Sequence, residues 1–254
     1  MNRLLLTPEH LGRFAAAGFV VVAQLASVER VRAMREVALA QLAAGTGPAE
    51  YEANLHYPGA PPTREAPGGA TTRRLLQAYA RDSVFREWAT APEVAAPLRQ
   101  ILGPSVKLSQ AHHNCVMTKQ PRYSSETGWH QDIRYWSFQR PELVSVWLAL
   151  GREFADNGCL SFLPGTHTMA FATDRLDDAL FLRADHPLNQ ALVATRVSAV
   201  LDPGDAVFFH CRTLHAAGNN RTNETKLSLV FTYHATDNCP LPGTRSASLP
   251  AIAL

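Results

Sequence analysis

The spacing of apolar positions changes near residue 106. Before that point it is helical: Val31, Met34, Val37, Ala38 and Leu42 form one stripe, with Ser27 placed to cap the helix and Gly45 to end it. Thr7 ahead of Pro8 predicts an earlier helix that stops at Gly18. The run Phe19-Val20-Val21-Val22 between them predicts a short strand. Residues 46–74 carry Gly, Pro, Thr and Arg without a period and predict a long loop, and short helices are expected at 83–89 and 92–102. Beyond 106 the pattern becomes short strands between turn signals, with candidates at 111–118, 126–133, 143–150, 158–163, 192–200, 205–210 and 227–235. Asn157-Gly158 and Pro203-Gly204-Asp205 are the clearest turns, and 170–190 reads as an inserted loop with a helical turn. The expectation is a mainly β core at about 106–236, a sandwich or barrel, behind a helical N-terminal buttress at about 1–105 and before a short C-terminal tail.

Composition narrows the function classes. A chain of 254 residues with 46% hydrophobic and 18% charged residues can build a sizeable core and is not disordered. A formal net charge of +2 offers no footprint for nucleic acid or an anionic membrane surface, and no apolar run reaches the length of a membrane span. The run Met1-Asn2-Arg3-Leu4-Leu5-Leu6 is too short for a signal peptide. Cys115, Cys159, Cys211 and Cys239 form no CxxC pair, so free thiols in the cytoplasm are expected.

The chemistry-bearing signal is in the histidines. Seven of the ten lie between 112 and 215, and one of them stands in Gly128-Trp129-His130-Gln131-Asp132. On a strand, His130 and Asp132 share a face and Gln131 points away, which offers two ligands of a 2-His-1-carboxylate iron triad. His210 and His215 are both available as the third ligand. Eleven residues after His215 comes Lys226, two before Ser228 on the same strand face. A cation there suits a dicarboxylate cosubstrate whose distal end must be paired once water is excluded, and Ser228 can add a hydrogen bond. Arg134, Tyr135 and Trp136 follow Asp132 towards the pocket mouth, and Lys119 and Arg73 are further candidate substrate contacts. If these cations face the pocket, the substrate is anionic. His112 and His113 are adjacent, so one of them turns inward, where a satisfied core histidine is expected.

The HxD pair, the segments Asn157-Gly158-Cys159-Leu160 and Pro164-Gly165-Thr166-His167, the Pro203-Gly204-Asp205 turn and the distal histidine together resemble the phytanoyl-CoA dioxygenase family. The resemblance implies a double-stranded β-helix (a cupin-like jelly roll) and an oxygenase that uses Fe(II), 2-oxoglutarate and O2 to hydroxylate a small molecule, releasing succinate and CO2. By resemblance His130, Asp132 and His215 are the iron ligands, and Gln131 and Trp147 line the 2-oxoglutarate site. The presence of Asp132 argues against the related halogenases. One departure stands out: the family's usual Arg eleven residues after the distal His is here Lys226, which binds a carboxylate as a point charge rather than a fork. Either Lys226 serves with help from Ser228, or another cation such as Arg221 reaches in, or the enzyme uses a different 2-oxo acid or none.

Two other readings compete. A cupin-like lyase or isomerase would use the same ligands without 2-oxoglutarate and would have no use for a cation at 226. A non-catalytic small-molecule-binding barrel would bind its ligand without Asp132.

Overall fold

The computed structural model describes residues 4–55, 57 and 60–254. Thr7 accepts a hydrogen bond from the His10 N–H and opens α1 (Pro8–Ala17), and Gly18 closes it at φ 81°. After β1 (Phe19–Val22), Ser27 accepts from the Arg30 N–H and opens α2 (Val28–Ala43). Then come β2 (Ala49–Tyr51), β3 (Thr72–Leu76), α3 (Ala78–Arg81), α4 (Ser83–Ala89) and α5 (Pro92–Leu102). The β region runs through β4 (Val106–Lys119), β5 (Thr127–His130), β6 (Leu143–Ala149) and β7 (Leu160–Phe162). α6 (Pro187–Val193) interrupts it before β8 (Val197–Ser198), β9 (Ala206–His210), β10 (His215–Ala217), β11 (Lys226–Ala235) and β12 (Ile252–Ala253).

Two antiparallel sheets result. The larger has the order β1–β9–β6–β11–β4–β3–β2, with β12 added on β4, and the smaller has the order β5–β10–β7–β8. Period-two alternation splits the central strands of the larger sheet between two environments. Val144, Val146 and Leu148 of β6, with Leu227, Leu229 and Phe231 of β11, pack against Phe85, Trp88, Val94 and Leu98 from α4 and α5. The intervening Trp147, Ala149 and Val230 face the smaller sheet, against Leu160 and Phe162. Each of the Val, Leu and Phe side chains contributes about 1.5–3 kcal/mol when fully buried. The architecture is a double-stranded β-helix with helices on the outer face of its larger sheet. No described helix is long and apolar enough to cross a membrane.

Three segments differ from the sequence expectation. The loop expected over 46–74 contains β2 and most of β3, which extend the large sheet through β4; positions 56, 58 and 59 of it lie outside the described residues. The sequence of this hairpin hides its strands, because β2 pairs only with β3 across a long loop and β3 takes its other partner from the distant β4. The strand expected over 126–133 stops at His130, and Asp132–Tyr135 form a 3-10 turn. The strand expected over 192–200 begins as the end of α6, where Pro187 occupies the first helical position and the His186 ring accepts from the Leu188 N–H; a turn follows, and only Val197–Ser198 is strand.

The corner between α1 and β1 supports the segment that carries His215. The Gly18 carbonyl accepts from the His210 N–H and from the Thr213 hydroxyl, each at 2.8 Å. The Pro164–His167 turn docks on the same helix end, where the Gly165 N–H donates to the Ala17 carbonyl. A Cβ on Gly18 would stand 2.4 Å from Thr213 Oγ1 and 2.5 Å from His167 Nδ1, whereas one on Gly12 would meet nothing within 4 Å. Gly18→Ala should therefore destabilise the fold by about 2 kcal/mol or more, and Gly12→Ala should be neutral or stabilising by up to about 1 kcal/mol. Urea unfolding of the two variants checks this; equal effects would contradict it.

Candidate metal centre

Strand pairing assembles the triad. His215 opens β10 directly opposite His130, the last residue of β5, and opposite Phe162 of β7 on its other side. Asp132 begins the 3-10 turn after β5, held by the Ile133 N–H donating to the Cys211 carbonyl at 3.0 Å. Asp132 Oδ1 lies 3.6 Å from His130 Nε2 and 3.6 Å from His215 Nε2. All three residues are buried, and their ligand atoms fall within 4.8 Å of one another.

Neighbouring carbonyls determine the imidazole tautomers. His130 Nδ1 is 2.8 Å from the Gly128 carbonyl and His215 Nδ1 is 3.1 Å from the Thr213 carbonyl. A carbonyl only accepts, so each Nδ1 carries the hydrogen and each Nε2 presents a lone pair to Asp132. Burial pushes the His215 imidazole down to about 4, which keeps it neutral at pH 7. Burial pushes the Asp132 carboxyl up, and only positive charge at the His113, His215 and His130 positions brings it below the usual carboxylate range; with the His130 and His215 lone pairs turned towards it, a bound cation is what supplies that charge. Neither oxygen of that carboxylate has a hydrogen-bond partner. A fully buried, charged carboxylate without donors, faced by two imidazole lone pairs, fits a divalent cation.

Two cavities meet at His113, His130 and Arg74. The inner one is narrow, about 40 Å³, and its wall includes Arg73, Arg74, Lys119, Trp147, His215 and Lys226. The outer one, about 400 Å³, is lined among others by Tyr57, Gln110, His112, Tyr135, Trp136 and Arg245. Lys226 Nζ lies 2.9 Å from Glu153 Oε2 and donates to Ser228 Oγ at 3.2 Å. Glu153 Oε1 accepts from Ser228 Oγ at 2.6 Å and from Trp147 Nε1 at 3.0 Å. Arg73, 1% exposed, pairs with Glu52 at 3.3 Å and donates to the Ser125 carbonyl. Burial, reinforced by Arg73 and Lys226, pushes the Lys119 ammonium well below its usual range.

The structure thus gathers His130, Asp132, His215, Lys226, Ser228, Trp147, Lys119 and Arg73 around the inner cavity, with Tyr135 and Trp136 on the outer one. Four expectations need correction. The Gln131 amide turns away from the cavity and donates to the Arg212 carbonyl, because the chain enters the 3-10 turn there. Arg221 is exposed beyond the cavity, its N–H bound to the Asp156 carbonyl. Arg134 reaches neither cavity wall; its guanidinium stacks on Phe181 at 4.0 Å and Tyr135 at 4.7 Å. His113 is not a satisfied core residue, since its Nδ1 has no hydrogen-bond partner and stands 3.4 Å from Asp132 Oδ2. Arg74 joins Arg73 on the inner cavity wall, while Glu153 and Arg245 are site residues that the sequence reading did not single out. Glu153 gives no local signal, but the Arg-to-Lys change at 226 was a reason to look for a nearby acid.

The family model for Phytanoyl-CoA dioxygenase matches residues 14–228. A probable phytanoyl-CoA dioxygenase of Caenorhabditis elegans is 28% identical over 171 residues, covering 65% of this chain and 55% of its own. The peroxisomal phytanoyl-CoA dioxygenase of Homo sapiens is 27% identical over 173 residues, covering 64% of this chain and 49% of its own. The chain spans about half the length of these curated relatives. Among solved structures, the epimerase SnoN in complex with Fe3+, alpha ketoglutarate and nogalamycin RO has a TM-score of 0.74 at 24% identity, covering 95% of this chain and 89% of that one, a likeness of fold.

The orphaned carboxylate generates a prediction about stability. A divalent metal at 100 times its dissociation constant should stabilise the chain by about 2.7 kcal/mol, and Asp132→Ala should remove that gain. Without metal, Asp132→Ala should unfold at no lower temperature than the parent, because it deletes an uncompensated buried charge. Thermal melts with and without Fe(II) under argon test both; a metal-free variant that melts well below the parent would contradict this account.

Proposed function

The chain belongs to the phytanoyl-CoA dioxygenase family, and from that premise we propose that it is an Fe(II)/2-oxoglutarate-dependent oxygenase acting on a small molecule. The observation that carries the reading is the buried Asp132 carboxylate, without a hydrogen-bond donor and flanked at 3.6 Å by the Nε2 atoms of His130 and His215. These three residues would hold the iron. Bound there, Fe(II) supplies O2 activation coupled to oxidative decarboxylation of 2-oxoglutarate to succinate and CO2. SnoN, of the same fold, was solved with Fe3+ and alpha ketoglutarate.

The other residues bind and orient. The inner cavity wall holds one basic side chain without a carboxylate partner among the described residues, Lys119, which suits the distal end of a dicarboxylate cosubstrate, and a lyase without that cosubstrate would have no use for it. The outer cavity, about 400 Å³, lies in the size range of small-molecule pockets and reaches the triad at His130. Trp136, 6% exposed, packs edge-on against His113 at that junction. Arg245, exposed and without a described ion pair, faces this cavity and supports an anionic substrate. The four cysteines are free, which fits a reducing, cytoplasmic setting.

Incubating the purified protein with Fe(II), ascorbate, 2-oxoglutarate and O2 should give metal-dependent succinate, faster when a substrate is present and lost in Asp132→Ala. Succinate formed at the same rate without iron, or by that variant, would refute the proposal.

A further inference from the structure

Four basic side chains line the inner cavity: Arg73, Arg74, Lys119 and Lys226. Three of them have carboxylate partners, Arg73 with Glu52 at 3.3 Å, Arg74 with Glu50 at 3.0 Å and Lys226 with Glu153 at 2.9 Å. Lys119 has none among the described residues. Its Nζ donates to the Ser125 carbonyl at 2.9 Å, and the residue is 5% exposed. A buried ammonium satisfied only by a carbonyl is costly unless an anion joins it.

Register makes the imbalance sharper. Lys119 stands directly across the β4–β11 ladder from Lys226, so both project from the same sheet face. Like charges in that relation destabilise a sheet. Glu153 relieves only one of the two: its oxygens are taken up by Lys226, Ser228 and Trp147. The stem of Lys119 has a built position, since a Cβ on Gly158 would come within 2.8 Å of its Cδ. Burial and the adjacent cations drive the Lys119 ammonium towards losing its proton, a tendency that an anion in the cavity reverses.

We infer that Lys119, rather than Lys226, receives the distal carboxylate of the 2-oxo acid cosubstrate, with Lys226 and Glu153 forming an electrically neutral wall beside it. This deepens the function proposed above and rests on it. Replacing a family arginine by lysine at 226 and sealing that lysine with an internal carboxylate passes the binding role to the cation across the ladder.

The test is calorimetric titration of anaerobic Fe(II)-loaded protein with 2-oxoglutarate and with 2-oxobutyrate, which lacks the distal carboxylate. Lys119→Met should weaken 2-oxoglutarate binding by about 10- to 100-fold, the loss of a charge-assisted contact, and leave 2-oxobutyrate unchanged. Lys119→Arg should restore most of the affinity. The double variant Lys226→Met/Glu153→Gln removes both charges of the neutral wall, and should hold 2-oxoglutarate within about threefold of the parent. The inference is overturned if Lys119→Met binds 2-oxoglutarate like the parent, if it loses both acids equally, or if the double variant loses 2-oxoglutarate as strongly. A parent protein that binds iron but neither acid would instead overturn the proposed function, and the inference with it.

Discussion

A carboxylate that is fully buried, ionised and without a hydrogen-bond donor is stable only beside a cation, and Asp132 is held in that condition. The pairing of β10 with β5 sets His215 opposite His130, and the turn after β5 carries Asp132 in beneath them. The Gly128 and Thr213 carbonyls fix both imidazoles with their lone pairs inward. The Gly18 corner in turn ties the N-terminal helix to the segment leading into His215. Folding therefore assembles a site that is electrostatically incomplete, and binding completes it.

The same strands separate stability from chemistry by their pleat. On β11, Leu227, Leu229 and Phe231 face the helices, while Lys226, Ser228 and Val230 face the cavity between the sheets. A one-residue slip would exchange the two sets, placing a lysine in the apolar layer and leucines at the triad. The register that protects the core therefore also aims the site. Around the inner cavity, charge is matched pair by pair except at Lys119, so the polar wall is as specific as the packing behind it.

Features set by local chemistry were legible in the sequence. Thr7 with Pro8 and Ser27 mark helix starts through side-chain caps, and the strands 111–118, 143–150, 205–210 and 227–235 each overlap a strand of the structure. The HxD spacing pointed to the triad although its strand argument lapses at His130, because the 3-10 turn brings Asp132 to the same point and sends Gln131 outward. Features set by distant partners were not legible. β3 is a strand because β4 pairs with it, and Glu153 is a buried partner only because the fold lays it under β11. Arg245 reaches the outer cavity because the C-terminal segment folds back, with Ser246 bonded to His112 and β12 paired to β4. The helical turn expected in 170–190 runs on from Pro187 to Val193, into the start of the segment expected as strand.

The most direct test of the central claim is a crystal structure of the anaerobic protein grown with Fe(II) and 2-oxoglutarate, with data collected at the iron absorption edge. The account predicts one anomalous peak bonded to His130 Nε2, Asp132 Oδ1 and His215 Nε2, with the distal carboxylate of 2-oxoglutarate in the inner cavity at Lys119. An iron peak elsewhere, or 2-oxoglutarate bound outside that cavity, would contradict it.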